Sequence, residues 1–346
     1  MNAPLLLLKG ITVRFGGLVA ANNVHLSVSE SQISAVIGPN GAGKTTVFNC
    51  VTGVYAPTSG HIAVNGNNIL DPFSFAVGLK ALLVGGVAAL FLSVAVNVQT
   101  LWDAAVIQLF VYNQPFPWSQ MVPAILRGVS ALPSSRTFAP LLLGFVLGSS
   151  AFLTLWFRAR HSPCTSVLKG IARTFQNIRL FRDMTTLENI LVGMHSHTRT
   201  NPVAVLFALP SYTKKEKERI ATARELLDFM GLAQFENALA STLPYGYQRR
   251  LEIARALATK PSLLLLDEPA AGMNPSEMDE LASLISRIRA RGVTVLLIEH
   301  HMKLVMGISD HVTVLEYGEK IAEGTPAEVK CNPRVIAAYL GDSTHE

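Results

Sequence analysis

The chain has 346 residues, of which 49% are hydrophobic and 15% are charged, and its formal net charge is +5. This composition excludes a disordered, collagen-like or coiled-coil chain, and three distant cysteines without a C-x-x-C pair argue against a disulfide framework or a structural zinc site. The positive charge is compatible with binding to nucleic acid, to anionic lipid or to phosphate, and its sign alone does not distinguish among these partners.

The first predicted strand lies in the N-terminal segment MNAPLLLLKG, whose four leucines before Lys9 are too few for a signal-peptide core. A later apolar strand, Ile33–Ile37, leads into GPNGAGKT at residues 38–45 and then into a helix-like stretch. The phosphate-binding pattern G-x-x-x-x-G-K-[ST] requires this strand–loop–helix setting. Its glycines let backbone N–H groups turn toward phosphate oxygens at a helix N-terminus.

Two side chains of this loop supply the rest of the predicted chemistry. Lys44 is expected to neutralise the β- and γ-phosphates of a nucleotide, and the Thr45 hydroxyl to take one position around magnesium. The alternative is a glycine-rich turn without a ligand, and the flanking strand and helix argue against it.

An apolar insertion interrupts the chain at residues 73–164. Two of its runs, 81–98 and 138–157, are uncharged and reach the length at which a helix crosses a bilayer. Small residues at helical spacing, such as Gly144 and Gly148, let two such helices approach closely. We therefore expect transmembrane helices at 79–98 and 138–157, paired as a hairpin. From residue 73 to residue 157 the charged side chains are Lys80, Asp103, Arg127 and Arg136.

Flanking charges indicate how this hairpin is oriented. Lys80 precedes the first run and Arg158 follows the second, so the positive-inside bias places both outer ends in the cytoplasm. Arg127 and Arg136 then lie on the far side, against the bias. The alternative is a pair of helices buried in protein. The aromatic and proline-rich segment between the runs, residues 102–125, is interpreted as an interfacial loop, a short re-entrant piece or a packed loop.

Beyond the insertion, residues 214–232 have the spacing of an amphipathic helix with a solvated charged face. Residues 262–269, SLLLLDEP, predict a buried parallel strand with two acids at its carboxyl end, where open α/β sheets bind ligands. Asp267 is a candidate magnesium ligand, and Glu268 can orient and polarise an attacking water.

The remaining predicted elements complete an α/β pattern. A helix at 275–291 is closed by Gly292, an apolar strand at 293–300 ends at His300, and residues 311–324 form a hairpin. Alone, His300 would be a structural histidine at a strand end, but beside a phosphate loop it can reach a γ-phosphate. Three further histidines lack partners at metal-ligand spacing and are expected on the surface or in loops, namely His195, His197 and His301.

The order of the motifs GPNGAGKT, RTFQNIRLF, LPYGYQRRLEIARAL, LLLLDEP, AAGMNP and LLIEH resembles that of the ATP-binding cassette (ABC) ATPases. It is most similar to the ATP-binding subunit of branched-chain amino-acid importers, and the tail IAEGTPAEVKCNPRVIAAYLG resembles that subunit's C-terminal extension. The resemblance covers about residues 5–72 and 165–341 of the chain. It leaves the apolar insertion uncovered.

This resemblance implies an α/β fold of the P-loop NTPase class, with an antiparallel β subdomain and a helical subdomain at about 185–245. It places the C-terminal extension at about 322–341. The insertion is expected to form an apolar helical hairpin that associates with the membrane.

The resemblance also implies roles for individual residues. Phe15 would stack on adenine, although a core strand aromatic is the alternative. Glu268, His300, Gln176 and Lys44 would form the catalytic group, with Glu268 as the catalytic carboxylate. Magnesium would be held by Thr45, Gln176 and Asp267. The nucleotide phosphates would be cradled by Gly38, Pro39, Asn40, Gly41, Ala42, Gly43, Lys44, Thr45 and Thr46.

One motif departs from the family pattern Leu-Ser-Gly-Gly-Gln. In LPYGYQ, Leu243 and Gly246 match, while Pro244 replaces the serine whose hydroxyl would meet a partner's γ-phosphate. Proline is sterically acceptable at a helix start, so the helix end can still face phosphate without that hydroxyl contact. Asn274 stands where the family often has aspartate.

The resemblance implies ATP and Mg²⁺ as cofactors. The implied partners are a second ABC ATPase subunit in a heterodimer, two transmembrane permease subunits and, indirectly, a substrate-binding protein. It places the chain at the cytoplasmic face of a bacterial inner membrane, where the hairpin would anchor it, and implies no nucleic-acid partner. Two alternatives stay open: a membrane-tethered ATP-binding regulatory subunit with little turnover, and a non-transport ABC ATPase acting on nucleic acid or ribosomes.

Overall fold

The structure, a computed structural model, describes residues 4–69, 74–130, 133–160, 169–195 and 210–340, together with residues 167 and 207. The chain divides into two compact units, one formed by Met1–Leu70 with His161–Glu346 and the other by Asp71–Arg160. The second unit is thus one continuous segment inserted into the first. The predicted loop residue His197 lies outside the described residues.

A four-stranded antiparallel sheet opens the first unit. Its strands are β1 (Leu6–Phe15), β2 (Leu18–Val28), β4 (Ser59–Val64) and β5 (Asn67–Asn68), in the order β2-β1-β4-β5. The prediction of a strand in the N-terminal leucine run is confirmed, because Leu6 and Leu8 are buried in β1. This sheet is the antiparallel β subdomain that the resemblance implied.

The second sheet of this unit has six strands, β3 (Ile33–Ile37), β6 (Ile171–Arg173), β7 (Leu263–Asp267), β8 (Thr294–Ile298), β9 (His311–Glu316) and β10 (Glu319–Gly324). Their order across the sheet is β10-β9-β3-β8-β7-β6. Its central strands, including β3, β7 and β8, run parallel and are buried at every position, as the continuous apolar runs predicted. Their carboxyl ends therefore meet at one edge of the sheet.

The second unit is helical. It contains α2 (Phe75–Trp102), a π-helix at Asp103–Ile107, α3 (Trp118–Ser130) and α4 (Ser134–Arg160). The helix that precedes it in the chain, α1 (Lys44–Val51), belongs to the first unit. The two predicted apolar helices are thus found in α2 and α4, each longer at both ends than its uncharged run.

The loop interpretation of residues 102–125 is wrong for residues 103–107 and 118–125, which lie in the π-helix and α3, while residues 108–117 between them form a loop. Prolines and aromatic residues concealed a helical period: Met121, Ala124, Ile125 and Gly128 follow i, i+3, i+4, i+7 spacing and form the less exposed face of α3. Pro123 lies inside α3, where it removes one backbone hydrogen bond, so the helix continues past a residue that usually kinks or ends one.

Small residues allow α2 and α4 to pack closely. A Cβ at Gly85 would lie 2.1 Å from Ser149 Oγ, and one at Gly144 would lie 2.7 Å from the Ala88 carbonyl oxygen. The Ser149 hydroxyl donates to the Ala81 carbonyl at 3.2 Å. The backbones of the two helices therefore touch without large side chains between them, as in membrane helix pairs.

The large apolar side chains of this pair point outward instead. Val87, Phe91 and Leu142 are 68%, 75% and 69% exposed. Both helices are long and apolar enough to cross a membrane, and only 22% and 11% of their apolar windows are buried within the protein. Within the described residues, this chain therefore covers little of the apolar surface of the two helices.

The remaining helices return to the first unit. The helix predicted at 214–232 begins earlier and ends at Phe229, and the one predicted at 275–291 ends at Ala290, before Gly292 with its φ of +84°. The predicted hairpin is formed by β9 and β10. These helices are α5 (Thr186–Met194), α6 (Pro210–Phe229), α7 (Tyr245–Leu257), α8 (Pro275–Ala290), α9 (Met302–Ile308), α10 (Pro326–Lys330) and α11 (Pro333–Leu340).

Candidate functional site

The loop between β3 and α1 is shaped for close backbone contact. Gly38 and Gly43 have φ values of +149° and +90°. A Cβ would lie 2.0 Å from the Leu315 carbonyl oxygen at Gly38, and 2.4 Å from the Ala20 carbonyl oxygen at Gly43. Glycine is therefore required at both positions, because the loop lies against β9 and β2 and its backbone turns where other residues are strained.

Lys44 begins α1, and its ammonium group lies beneath the loop. Its Nζ donates to the Gly38 and Pro39 carbonyl oxygens, at 2.8 Å each. Burial lowers the pKa of Lys44, while the charges of Glu268 and Asp267 oppose that shift. A phosphate anion beside Nζ would favour the charged form in the same way.

The end of β7 holds the two predicted carboxylates. Glu268 has a φ of +45°, which a residue other than glycine rarely adopts, and its Oε2 accepts from Gln176 Nε2 at 2.9 Å. His300 Nδ1 lies 3.9 Å from the same Oε2. The structure thus brings Gln176, Glu268 and His300 together, although they are far apart in sequence.

Asp267 is buried, and its Oδ2 accepts from Arg173 Nη2 at 2.7 Å. Thr45 lies exposed in the first turn of α1. A carboxylate, a hydroxyl and the phosphates of a nucleotide form the all-oxygen donor set that Mg²⁺ prefers. The residues present therefore fit the predicted ion. Among the described residues, no cluster of three or more His, Cys, Asp or Glu side chains forms a separate metal site.

Phe15 lies at the end of β1 and is 45% exposed, so it is not a core aromatic. Its ring meets Tyr55 edge to face, with ring centroids 5.2 Å apart. No motif in the sequence singles out Tyr55. Together the two rings form an exposed aromatic pair that is available for stacking.

Pro244 stands at the N-cap position of α7, with a φ of −55°, as predicted from proline's acceptability at a helix start. No side chain caps this end of α7, so the first N–H groups of the helix lack the usual capping acceptor.

Asn274 caps the N-terminus of α8, because its Oδ1 accepts from the Glu277 backbone N–H at 2.9 Å. The structure thus gives Asn274 a local role that sequence reasoning missed.

A buried ion pair in α7 holds the segment that carries Gln176. Arg249 and Glu252 are almost fully buried and 2.8 Å apart. Arg249 donates to the Phe175 and Gln176 carbonyl oxygens at 2.7 and 2.8 Å. Glu252 accepts from the backbone N–H groups of Phe175 and Arg179. Sequence reasoning missed this pair. Opposite charges three residues apart in the otherwise largely apolar segment RRLEIARAL were the only pattern that could have indicated it.

Glu299 is a second missed residue. Its side chain is fully buried, and Oε1 accepts from the Ala270 N–H at 2.8 Å while Oε2 accepts from the His300 N–H at 3.1 Å. One carboxylate therefore joins the end of β8 to the segment that follows Glu268. This contact helps to position His300 beside Glu268.

The C-terminal extension also reaches the phosphate loop. Burial raises the pKa of Tyr339 in α11 to about 12, and the nearby Gly38 backbone opposes that shift. Because Tyr339 lies about 300 residues from Gly38 in sequence, no local pattern indicated the contact.

Two protein families match the chain. The family described as ABC transporter matches residues 21–86 and 155–271, and leaves residues 87–154 unmatched. The family described as branched-chain amino acid ATP-binding cassette transporter matches residues 319–345. The unmatched residues lie within the second unit.

Curated relatives match over the full chain. The high-affinity branched-chain amino acid transport ATP-binding protein BraF of Pseudomonas aeruginosa is 40% identical over 344 residues, which cover 99% of this chain and 100% of the relative. LivG of Escherichia coli, with the same description, is 37% identical at the same coverage.

Solved structures share the fold. The ADP conformation of an ATP-binding cassette of an ABC transporter gives a TM-score of 0.63 at 24% identity, and covers 99% of this chain and 100% of that one. A nucleotide-free ATP-binding cassette from an ABC transporter gives a TM-score of 0.62, also at 24% identity, and covers 98% and 100%.

Proposed function

The chain belongs to the ABC transporter ATPase family, and from this membership we propose that it is the ATP-hydrolysing subunit of an importer for branched-chain or related amino acids. The observation that carries the proposal is the meeting of Gln176, Glu268 and His300 at the sheet edge. The names of BraF and LivG supply the substrate class. They favour transport over action on nucleic acid or a purely regulatory role.

Catalysis in this proposal is positioning and charge stabilisation. The loop of residues 38–46 cradles the phosphates with its backbone N–H groups, Pro39 excepted, and Lys44 exchanges the Gly38 and Pro39 carbonyls for the β- and γ-phosphates. Glu268 orients a water for attack on the γ-phosphorus and accepts its proton as the bond to the β-phosphate oxygen breaks. His300 contacts the γ-phosphate, and Phe15 with Tyr55 stacks on adenine.

Mg²⁺ would be held by Thr45, Gln176 and Asp267, and it would supply positive charge that stabilises the nucleotide phosphates. Arg173 already orients the Asp267 carboxylate through its buried ion pair. Arg173 also donates to the Asn49 side chain in α1 at 2.6 Å, so its removal would disturb both the Asp267 carboxylate and the helix that follows the phosphate loop.

The proposed assembly contains a second ABC ATPase subunit, two permease subunits and, indirectly, a substrate-binding protein. The N-terminus of α7, with Pro244 in place of serine, would face the phosphate of the partner's nucleotide through backbone dipoles alone. This asymmetry favours a heterodimer, in which the partner supplies the complete serine-containing motif to this chain's own loop.

We further propose that the α2–α4 hairpin enters the cytoplasmic face of a bacterial inner membrane and anchors the subunit. Three observations support insertion: the outward-facing large side chains, the close contact of small residues, and the Lys80 and Arg158 charges at the outer ends. A span of about 20 residues rises about 30 Å, which matches the hydrocarbon core.

Leucine uptake by cells tests the proposed transport function. In a strain that lacks this gene, we expect high-affinity uptake of labelled leucine to be lost, and to return when the chain is expressed. The Glu268→Gln variant should not restore uptake, whereas Glu30→Gln, an exposed glutamate outside the site, should restore it fully. Unchanged leucine uptake in the deletion strain, with loss of uptake of another solute, would show that the substrate class is wrong.

A further inference from the structure

The charged residues within the hairpin are gathered at one place. Residues 81–157 contain three charged side chains, Asp103, Arg127 and Arg136. All three line a single cavity of about 640 Å³ at the end of the hairpin, together with Thr100 and Gln108. The cavity is bounded by the π-helix, α3 and the start of α4, so it lies entirely within the second unit.

A packing role does not account for these three side chains. All three are exposed, and among the described residues the structure shows no ion pair for any of them. Three charges that line one cavity without an ion partner in the described part of the chain are available to bind a charged ligand. Arg127 and Arg136 also oppose the positive-inside bias. The neighbouring π-helix is a rare conformation that occurs frequently at functional sites.

The depth of the cavity indicates what surrounds it. If both outer ends of the hairpin lie in the cytoplasm, spans of about 30 Å bring the other end to the opposite headgroup layer. Trp102, Tyr112 and Trp118 near this end are 58%, 86% and 71% exposed. Exposed Trp and Tyr are typical of the membrane–water interface. The cavity would therefore face phospholipid headgroups.

We propose that this cavity binds the headgroup of a membrane phospholipid that carries a phosphate and a primary amine, with Arg127 and Arg136 on the phosphate and Asp103 on the ammonium group. Arginine forms paired hydrogen bonds with phosphate oxygens, and a carboxylate accepts from an ammonium group. The proposal rests on the membrane hairpin proposed above. A free amino acid shares the same pair of charges, but the interfacial aromatic residues favour the lipid.

Lipid titration of the full chain in detergent tests this site. Native mass spectrometry would measure binding of dioleoylphosphatidylethanolamine and dioleoylphosphatidylcholine, whose quaternary amine cannot donate a hydrogen bond. We expect the Arg127→Gln/Arg136→Gln variant to bind both lipids at least about tenfold more weakly, because charge-assisted hydrogen bonds are lost. Asp103→Asn should remove the preference for the ethanolamine lipid. Lys80→Gln, a charge loss at the other end of the hairpin, should change neither.

Three outcomes would overturn the proposal. Unchanged lipid binding in the double arginine variant would exclude the two guanidinium groups as ligands. Displacement of the lipid by millimolar leucine would identify a free amino acid as the ligand. Release of the wild-type chain from membranes at alkaline pH would show that the hairpin does not enter the bilayer. If the wild-type chain is retained and the double arginine variant binds lipid unchanged, the lipid site alone is contradicted. Arg127→Lys/Arg136→Lys, which keeps both charges, should bind with intermediate strength if folding is intact.

Discussion

Replacing Glu268 with glutamine should lower the rate of ATP hydrolysis by about a thousandfold, within the range for loss of a general base, and leave ATP binding intact. Glutamine has the same shape, and its amide oxygen can still accept from Gln176 Nε2, which lies 2.9 Å from the native carboxylate. It cannot accept a proton from water. The phosphate loop and Lys44 are unchanged in this variant, so the loss should appear in kcat and not in nucleotide affinity.

Phosphate release by the complete transporter, with its permease subunits, measures this effect. Binding of a fluorescent ATP analogue provides the separate test of affinity. Glu30→Gln serves as the matched control, because Glu30 is exposed and lies before β3. A Glu268→Gln complex that hydrolyses ATP at the wild-type rate would show that another residue acts on the water.

The Arg249→Met variant should destabilise the first unit by about 3–5 kcal/mol, the usual cost of breaking a buried ion pair from one side. The substitution leaves the Glu252 carboxylate buried without its partner, and it frees the Phe175 and Gln176 carbonyl oxygens that Arg249 now binds. The segment that carries Gln176 should loosen, so hydrolysis should also slow.

Hydrogen exchange of α7 amides is the suitable measurement. All three tryptophans, Trp102, Trp118 and Trp156, lie in the second unit, so tryptophan fluorescence would report the hairpin instead. Arg250→Met is the matched control, because Arg250 is the next residue and pairs with the exposed Glu280. Its expected cost is below about 1 kcal/mol. Equal protection losses in the two variants would contradict the role given to the buried pair.

Local chemistry explains what the sequence could predict. GPNGAGKT and SLLLLDEP each carry their function in consecutive residues, so β3, α1 and β7 could be placed together with Lys44 and Glu268. Arg249 could not be placed in the same way. Its partners Phe175 and Gln176 lie 74 and 73 residues away, and only the folded chain brings their carbonyl oxygens to the guanidinium.

The insertion shows a similar division. Long uncharged runs predict two helices because an apolar run of about 20 residues is the length that a bilayer-spanning helix needs. The aromatic and proline-rich composition of the segment between them favours a loop, and it hides the helical period of α3, which contains Pro123. Asp103, Arg127 and Arg136 line one cavity because three helical segments pack around it. Their separate positions in the sequence did not indicate that they would lie close together.

Alkaline extraction of membranes tests most directly the claim that one chain combines an ABC ATPase with its own membrane hairpin. The full chain and a variant lacking residues 73–160 would be expressed without permease subunits, and their membranes washed at alkaline pH. The full chain should stay in the membrane fraction while the shortened chain is released. Release of both to the same extent would show that the hairpin does not enter the bilayer and that the subunit is held by its partners alone.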